Sequence, residues 1–342
     1  MTPRVTVLID TYNYGRFIEE AIDSVVSEDF SEEELEILVV DDGSTDDTEE
    51  RVKKYGERLR YFYKSNGGQA SAFNFGFANA RGEIVALLDA DDRYQKGKLS
   101  RIVREFERCP QAVLLVHSRI ELNTNTGESR QMAIEAFEGF LPGDRRAALA
   151  YELPPTSCIA FRRATFANIF PMPESIKLQA DAYLGILGVL LGDVILLPEA
   201  LSLYRIHGGN LYFTATPSKS RERRLCHIAT FASVLEAARG WTKLHAELTV
   251  LADLGWFFER WALVFEQFRF EVNTPGRWEY FIHLLRQNKL RSDVQTRKFT
   301  IMNYLTAISA LVLEYRSVPS YREKMAQTVS ERFRRFMRSS SH

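Results

Sequence analysis

Three apolar runs of strand character each end in aspartate: VTVLID at 5–10, EILVVDD at 36–42 and IVALLDADD at 84–92. Between them lie segments of helical spacing, RFIEEAIDSVVSE at 16–28, Thr45 to Tyr55 and Ala70 to Asn79, with LRYFYK at 59–64 as a further strand. Strands alternating with short helices predict an α/β fold whose central sheet is mostly parallel and covered by helices on both faces. Ligands of such sheets sit past the carboxyl ends of the strands, and that is where the aspartates fall. Asp89, Asp91 and Asp92 would repel one another in a half-buried site unless a cation or hydrogen-bond donors compensated.

Further along, a helix is expected over Leu99–Phe106, a strand over AVLLVHSRIEL (112–122) and a turn over NTNTGES (123–129). The middle of the chain is less regular: a Pro-Pro-Thr-Ser turn at 154–157, a strand CIAFR (158–162), a helix from Asp181 to Leu191 and a strand in DVILLPEALSLYRIH (193–207). After about Thr216, Pro and Gly become scarce and helical spacing is sustained, which predicts domains at 1–215 and 216–342, the second all-helical. At 342 residues and 45% hydrophobic content there is ample material for a core. Lys and Arg number 44 against 45 acidic residues, a net charge of -1, so no general attraction to nucleic acid is expected.

Cys109, Cys158 and Cys226 are few and widely spaced, as in a reducing compartment. MTPRVTVLID runs directly into a strand pattern without the features of an export signal, and a cytoplasmic location is expected. The apolar stretch Phe299–Leu313 is interrupted by Asn303, Thr306 and Ser309 and is shorter than the ~18 to 20 residues of a membrane span, so a buried helix is expected there.

Two readings stand for each acidic cluster. Carboxylates at Asp91 and Asp92 suit a hard divalent cation, Mn²⁺ or Mg²⁺, that keeps positions open for phosphate oxygens. Aspartates in this place also cap helices, although capping accounts poorly for Asp89. In DDGSTDDT (41–48), Gly43 permits a tight turn and Ser44 or Thr45 can cap, which leaves Asp41 and Asp42 unexplained; a carboxylate there can accept from a nucleobase N–H or a ribose hydroxyl. Asn66-Gly67-Gly68-Gln69 is a turn by composition and lacks the lysine of a phosphate-binding P-loop.

Taken in order, these stretches resemble family 2 glycosyltransferases of the GT-A fold, a Rossmann-like, inverting group that uses nucleotide-diphosphate sugars. VTVLIDTYNYGRFIEEAIDSV is similar to the family's first strand and helix, DDGSTDDT to its base-binding turn, NGGQASAFNFGFANARGE to the segment that follows, and DADD to its metal motif. PPTSCIAFRR resembles the acceptor-side strand and YRIHGGN the segment that closes over the diphosphate, so the resemblance spans about residues 3–212. It implies a nucleotide site built from Thr11, Tyr12, Asn13, Asp41, Asp42, Asn66, Gly67, Gly68, Gln69, Asp89, Asp91 and Arg205, with Asp42 on the base. It implies a Mn²⁺ or Mg²⁺ ion held by Asp91 and Asp92, with His207 as a further ligand.

The family's general base is usually written as an acidic pair; in LQADAYLGILG, Ala180 replaces its Glu and Asp181 alone remains to take the acceptor's proton. Phe73 stands where the family often has an Arg or a small residue.

In the last third, Trp256, Phe257, Trp261, Phe265 and Phe268 fall at helical spacing and read most simply as core, with a sugar platform as the alternative. YREKMAQTVSERFRRFMR (321–338) carries six basic and two acidic residues interleaved with Phe333, Phe336 and Met337. A solvated amphipathic helix fits that pattern, and so does peripheral contact with an anionic membrane at its inner face.

The leading expectation is therefore a metal-dependent, inverting transferase with a UDP-sugar donor, acting on a saccharide or lipid-linked sugar in envelope or polysaccharide assembly. Two others remain: a sugar-phosphate nucleotidyltransferase, and a catalytically silent nucleotide-binding scaffold, which Ala180 favours.

Overall fold

A computed structural model describes residues 2–132, 139–141, 155–210 and 217–248. The expected features at Trp256–Phe268, Phe299–Leu313 and 321–338 lie outside the described residues.

The chain begins with β1 (Val5–Thr11), α1 (Gly15–Val26), β2 (Leu35–Asp41), α2 (Thr48–Lys53), β3 (Arg60–Tyr63), α3 (Gln69–Asn79) and β4 (Ile84–Asp89). In this half the alternation is as expected, and β3, β2, β1 and β4 lie side by side, all parallel. Helix α1 forms because Ile18, Ala21, Ile22 and Val25 recur on one face, and that face is buried against the sheet core. The short α4 (Lys98–Arg108) repeats the spacing with Leu99, Ile102, Val103 and Phe106, entered through Gly97 in the left-handed region.

Beyond β4 the sheet becomes mixed. Strands β5 (Arg93–Tyr94), β6 (Ala112–Asn123), β9 (Ile159–Arg162) and β10 (Asp193–Ile206) continue the order as β4-β9-β6-β10-β5, while β7 (Ser129–Met132) pairs with β6 and β8 (Gly139–Leu141) with β10. β9 runs antiparallel to both β4 and β6. The expected parallel character thus holds for one half of the sheet, and strand direction in the other half depends on long-range pairing that local pattern does not encode.

After β9 come the one-turn α5 (Arg163–Phe166), α6 (Ala180–Leu191) and, following β10, α7 (Pro217–Leu244). Helix α6 is apolar all round and almost entirely buried, as a helix covered on both sides must be. Part of that cover is α7, whose Val234, Leu235, Ala238 and Trp241 share one buried face, with Trp241 Nε1–H donating to the Asn168 carbonyl at 2.9 Å. None of the described helices is long and apolar enough to cross a membrane.

Register is what assembles the functional edge. Asp10 pairs with Asp89 and Thr11 with Asp41 across neighbouring parallel strands, so the carboxyl ends of β1, β2 and β4 are level. Gly43, one turn beyond, has φ +89°, and a Cβ there would stand 2.8 Å from the backbone N of Asn66. Gly43→Ala is expected to destabilise the fold by about 1–3 kcal/mol through that strained conformation and clash. Urea unfolding should show a lower midpoint at an unchanged m-value; a midpoint equal to that of the wild type would contradict the packing described.

Candidate active site

β4 ends in the turn that carries Asp89, Asp91 and Asp92, and one carboxylate oxygen from each lies within 4.8 Å of the others. Oxygen donors this close form a fitting set for a hard divalent ion, because two or three like charges cannot otherwise share a buried pocket. Burial and the repulsion of Asp10, Asp92 and Asp91 push the Asp89 carboxyl well above the usual carboxylate range. Asp92 is raised too, by burial and then by Asp91. Burial likewise pushes Asp10 up to about 7 despite its hydrogen bond with Asp89, and Asp10 Oδ1 is buried without a partner.

The three aspartates of the turn are not equivalent. Asp92 is fully buried, with Oδ2 accepting from Ser157 Oγ–H at 2.7 Å and Oδ1 from the Arg205 backbone N–H at 2.9 Å. A cation would have to share its oxygens with those donors. Asp91 uses Oδ2 toward His207 Nε2 at 3.0 Å and Asn210 Nδ2 at 3.4 Å; its Oδ1 has no partner among the described residues. Asp91 therefore keeps one carboxylate oxygen free for a ligand.

His207 was expected beside the metal, and it is brought to Asp91. Its Nδ1 accepts from the Gly209 N–H at 3.1 Å and lies 3.0 Å from Arg16 Nη2. Two donors on Nδ1 put the ring proton on Nε2, where it donates to Asp91. In this tautomer His207 orients Asp91 and offers no lone pair to a cation. The same loop is closed by Asn210, which accepts from the His207 N–H and donates to the Arg205 carbonyl at 2.8 Å.

The Arg205 side chain turns toward α1, over the Phe17 ring at 4.9 Å and 3.1 Å from Glu20 Oε1. Its Nε and Nη2 are buried without partners, leaving donors in reserve for an anion.

At the base-binding turn the expected residues meet, held mainly by each other. Asp41 accepts from the Ser44 N–H at 2.7 Å and from Tyr61 Oη–H at 2.8 Å. Asp42 accepts from Lys64 Nζ at 2.6 Å, from the Gly68 N–H at 2.7 Å and from the Gly67 N–H at 3.0 Å. The Asp42 carboxylate, expected to face a nucleobase, is instead the anchor of the Asn66–Gln69 turn. Asn13, in the left-handed region, ties the first turn to the second by accepting from the Thr45 N–H and donating its own N–H to Ser44 Oγ, both at 2.8 Å. Thr11 is buried with Oγ1 unpartnered, Asn66 is exposed, and Tyr12, just past the end of β1, presents 48% of its surface to solvent.

Gln69 links this side to the second carboxylate. Its N–H donates to the Lys177 carbonyl and its Oε1 accepts from the Ala180 N–H, both at 3.0 Å, just before Asp181 in the first turn of α6. Ala180, which replaces the usual acidic residue, is wholly buried. Asp181 accepts from the Ala182 N–H at 2.8 Å, and burial pushes its carboxyl up to about 6. Asp181 also accepts from the Thr156 N–H, and the adjacent Ser157 bonds Asp89 and Asp92, so α6 and the acidic turn are joined through one short segment.

Asp10, Arg16, Lys64, Lys98, Ser157 and Asn210 also build this site and were not anticipated. Asp10 alone had a readable signal, since it ends the run VTVLID as Asp89 ends IVALLD.

The sheet has the GT-A fold, and the sequence belongs among the glycosyltransferases. Residues 6–170 match the model of glycosyl transferase family 2. An uncharacterized glycosyltransferase of Nostoc sp. strain PCC 7120 is 34% identical over 230 residues, 64% of this chain and 70% of that protein. Another, from Rickettsia typhi, is 36% identical over 121 residues, 35% of this chain and 37% of its own length. The fold is similar to that of S. aureus TarS 1-349 in complex with UDP-GlcNAc, with a TM-score of 0.55 and 20% identity over 94% of this chain and 92% of that one. The chain belongs to glycosyltransferase family 2.

Because Asp42 satisfies an ammonium and two backbone N–H groups, Asp42→Asn should cost about 1–3 kcal/mol of stability. Chemical denaturation checks this; a variant as stable as the wild type would show that the carboxylate is not the anchor of the turn.

Proposed function

We propose that the protein transfers a sugar, with inversion, from a nucleotide-diphosphate donor, most simply a UDP-sugar, to a hydroxyl of a saccharide or lipid-linked acceptor. The observation that carries this reading is that two adjacent residues join the acidic turn to Asp181: Thr156 gives its N–H to Asp181, and Ser157 bonds Asp89 and Asp92.

Asp181 takes the proton of the attacking hydroxyl. A carboxyl near 6 is ionised at neutral pH and is still basic enough to accept a proton as the new bond forms. Hydrogen bonds to its own helix and to the Thr156 N–H hold it in place. On the opposite side of the anomeric carbon, Asp91 and Asp89 would hold Mn²⁺ or Mg²⁺, with Asp92 completing the cluster. When bound, such an ion supplies Lewis-acid neutralisation of the departing diphosphate. His207 keeps Asp91 oriented, and the unpartnered N–H groups of Arg205 serve the phosphate oxygens. One displacement between a base and a leaving group on opposite faces inverts the anomeric centre.

Around this centre, Thr11, Tyr12, Asn13, Asp41 and Asp42 would shape the nucleotide pocket, and Asn66, Gly67, Gly68 and Gln69 its edge toward the sugar. The exposed Tyr12 suits stacking on a base. The same proposal places the protein in the cytoplasm.

Calorimetric titration of UDP, GDP and dTDP, with and without Mn²⁺, tests the donor site. UDP binding that requires Mn²⁺ and is lost in Asp91→Asn is expected; no metal-linked binding of any of the three would overturn the reading. For the base, kcat should rise with pH through about 6, as Asp181 loses its proton, and then level off. Asp181→Asn should lower kcat by at least about 100-fold with UDP binding unchanged. A variant that keeps the wild-type rate and pH profile would remove Asp181 from the mechanism.

A further inference from the structure

Beneath the acidic turn lies a lysine that no part of the mechanism above uses. Lys98 is fully buried at the start of α4. Its ammonium donates to the Ser157 carbonyl at 2.8 Å and to Ser202 Oγ at 3.0 Å, and stands 3.5 Å from the centroid of the Tyr94 ring. Among the described residues no carboxylate pairs with that ammonium. Burial pulls it down to about 7, a large cost for holding one carbonyl and one hydroxyl.

The carbonyl it holds is the informative part. Ser157 lies in the single turn Thr156–Cys158, immediately before β9. The Ser157 hydroxyl accepts from the Asp89 N–H at 3.0 Å and donates to Asp92 Oδ2 at 2.7 Å, so it bridges the first and last aspartates of the acidic turn. Its carbonyl accepts from both Lys98 Nζ and Ser202 Oγ, the latter at 2.6 Å. Ser157 is therefore pinned from behind while it fixes the cluster in front. The neighbouring Thr156 gives its N–H to Asp181, and its Oγ1 accepts from Gln69 Nε2–H at 3.3 Å. One turn thus joins the metal side of the site to the base side.

We propose that Ser157 and Lys98 are positioning residues for the metal-binding aspartates: Ser157 sets the spacing of Asp89 and Asp92, and Lys98, with Ser202, locks Ser157 in the orientation that does so. This inference rests on the reading that the acidic turn binds a divalent ion. Groups that orient metal ligands in this way commonly contribute 10–100-fold to metal affinity. The sign of the effect separates positioning from bulk electrostatics. A lysine acting only as a nearby positive charge repels the ion, so its removal would tighten binding; a lysine that orders the ligands weakens binding when removed.

The test is a Mn²⁺ titration followed by the paramagnetic resonance signal of the free ion, with and without UDP. It compares the wild type with Ser157→Ala, Lys98→Met and the double variant, each checked by thermal melting of the metal-free protein. Both single variants should weaken Mn²⁺ binding by about 10–100-fold, and the double variant should be no weaker than Ser157→Ala alone, because Lys98 acts through Ser157. Should Lys98→Met fail to fold, Ser202→Ala removes the hydroxyl shared by Lys98 and the Ser157 carbonyl and should shift affinity in the same direction. Folded variants that bind Mn²⁺ within twofold of the wild type, or a Lys98→Met protein that binds it more tightly, would overturn the proposal and leave the metal reading intact. A wild type that binds no Mn²⁺ under either condition would overturn both.

Discussion

Mutual repulsion among buried carboxylates governs this structure. Asp10 and Asp89 are neighbours in register on parallel strands, Asp91 and Asp92 follow within one turn, and Asp181 acts on the group from α6. Held this close and largely buried, they cannot all remain anions without compensating donors or a cation. The chain supplies part of the answer through directed donors: Ser157 and the Arg205 backbone to Asp92, His207 and Asn210 to Asp91. The remainder falls to protons, as the raised Asp10 and Asp89 carboxyls indicate, or to a cation. The same tension that makes the apo site costly makes it a ready receptor for a divalent ion.

The surrounding fold can be understood as the frame that enforces this convergence. Parallel pairing of β1 with both β2 and β4 levels their carboxyl ends, and the anchors at Asp42 and Asn13 draw the following turns together. Across the site, the Thr156–Cys158 turn reaches the acidic cluster through Ser157 and the base through Thr156. Because α6 is apolar and enclosed, Asp181 at its first turn is carried on a rigid element.

Much of this was legible in the sequence. Apolar runs and helical spacing located β1 to β4 and the helices α1 to α4 to within a few residues, because β1, β2 and β4 are buried on both faces and α1 and α4 on one, whereas the two-residue β5 left no such signal. Runs ending in Asp marked the functional edge for the same reason: an apolar strand that stops in carboxylates is anomalous unless the strand end is a site. What was not legible depends on contacts distant in the chain. The antiparallel direction of β9 is set by its neighbours β4 and β6. That Asp42 anchors a turn, that His207 donates to Asp91 and that Arg205 turns to Glu20 follows from partners 22 to 185 residues away, with no local pattern to announce them. Lys98 and Ser157 are the extreme case, an ordinary helix-start lysine and an ordinary turn serine joined across 59 residues.

The central claim is that the acidic turn is a cation site facing the Asp181 carboxylate. Its most direct test is anomalous diffraction at the manganese edge from crystals grown with Mn²⁺ and UDP. The account predicts one strong peak ligated by Asp91 within the Asp89–Asp92 turn, touching the diphosphate. A diphosphate bound at this edge with no anomalous peak at the turn, or a peak elsewhere on the molecule, would contradict it.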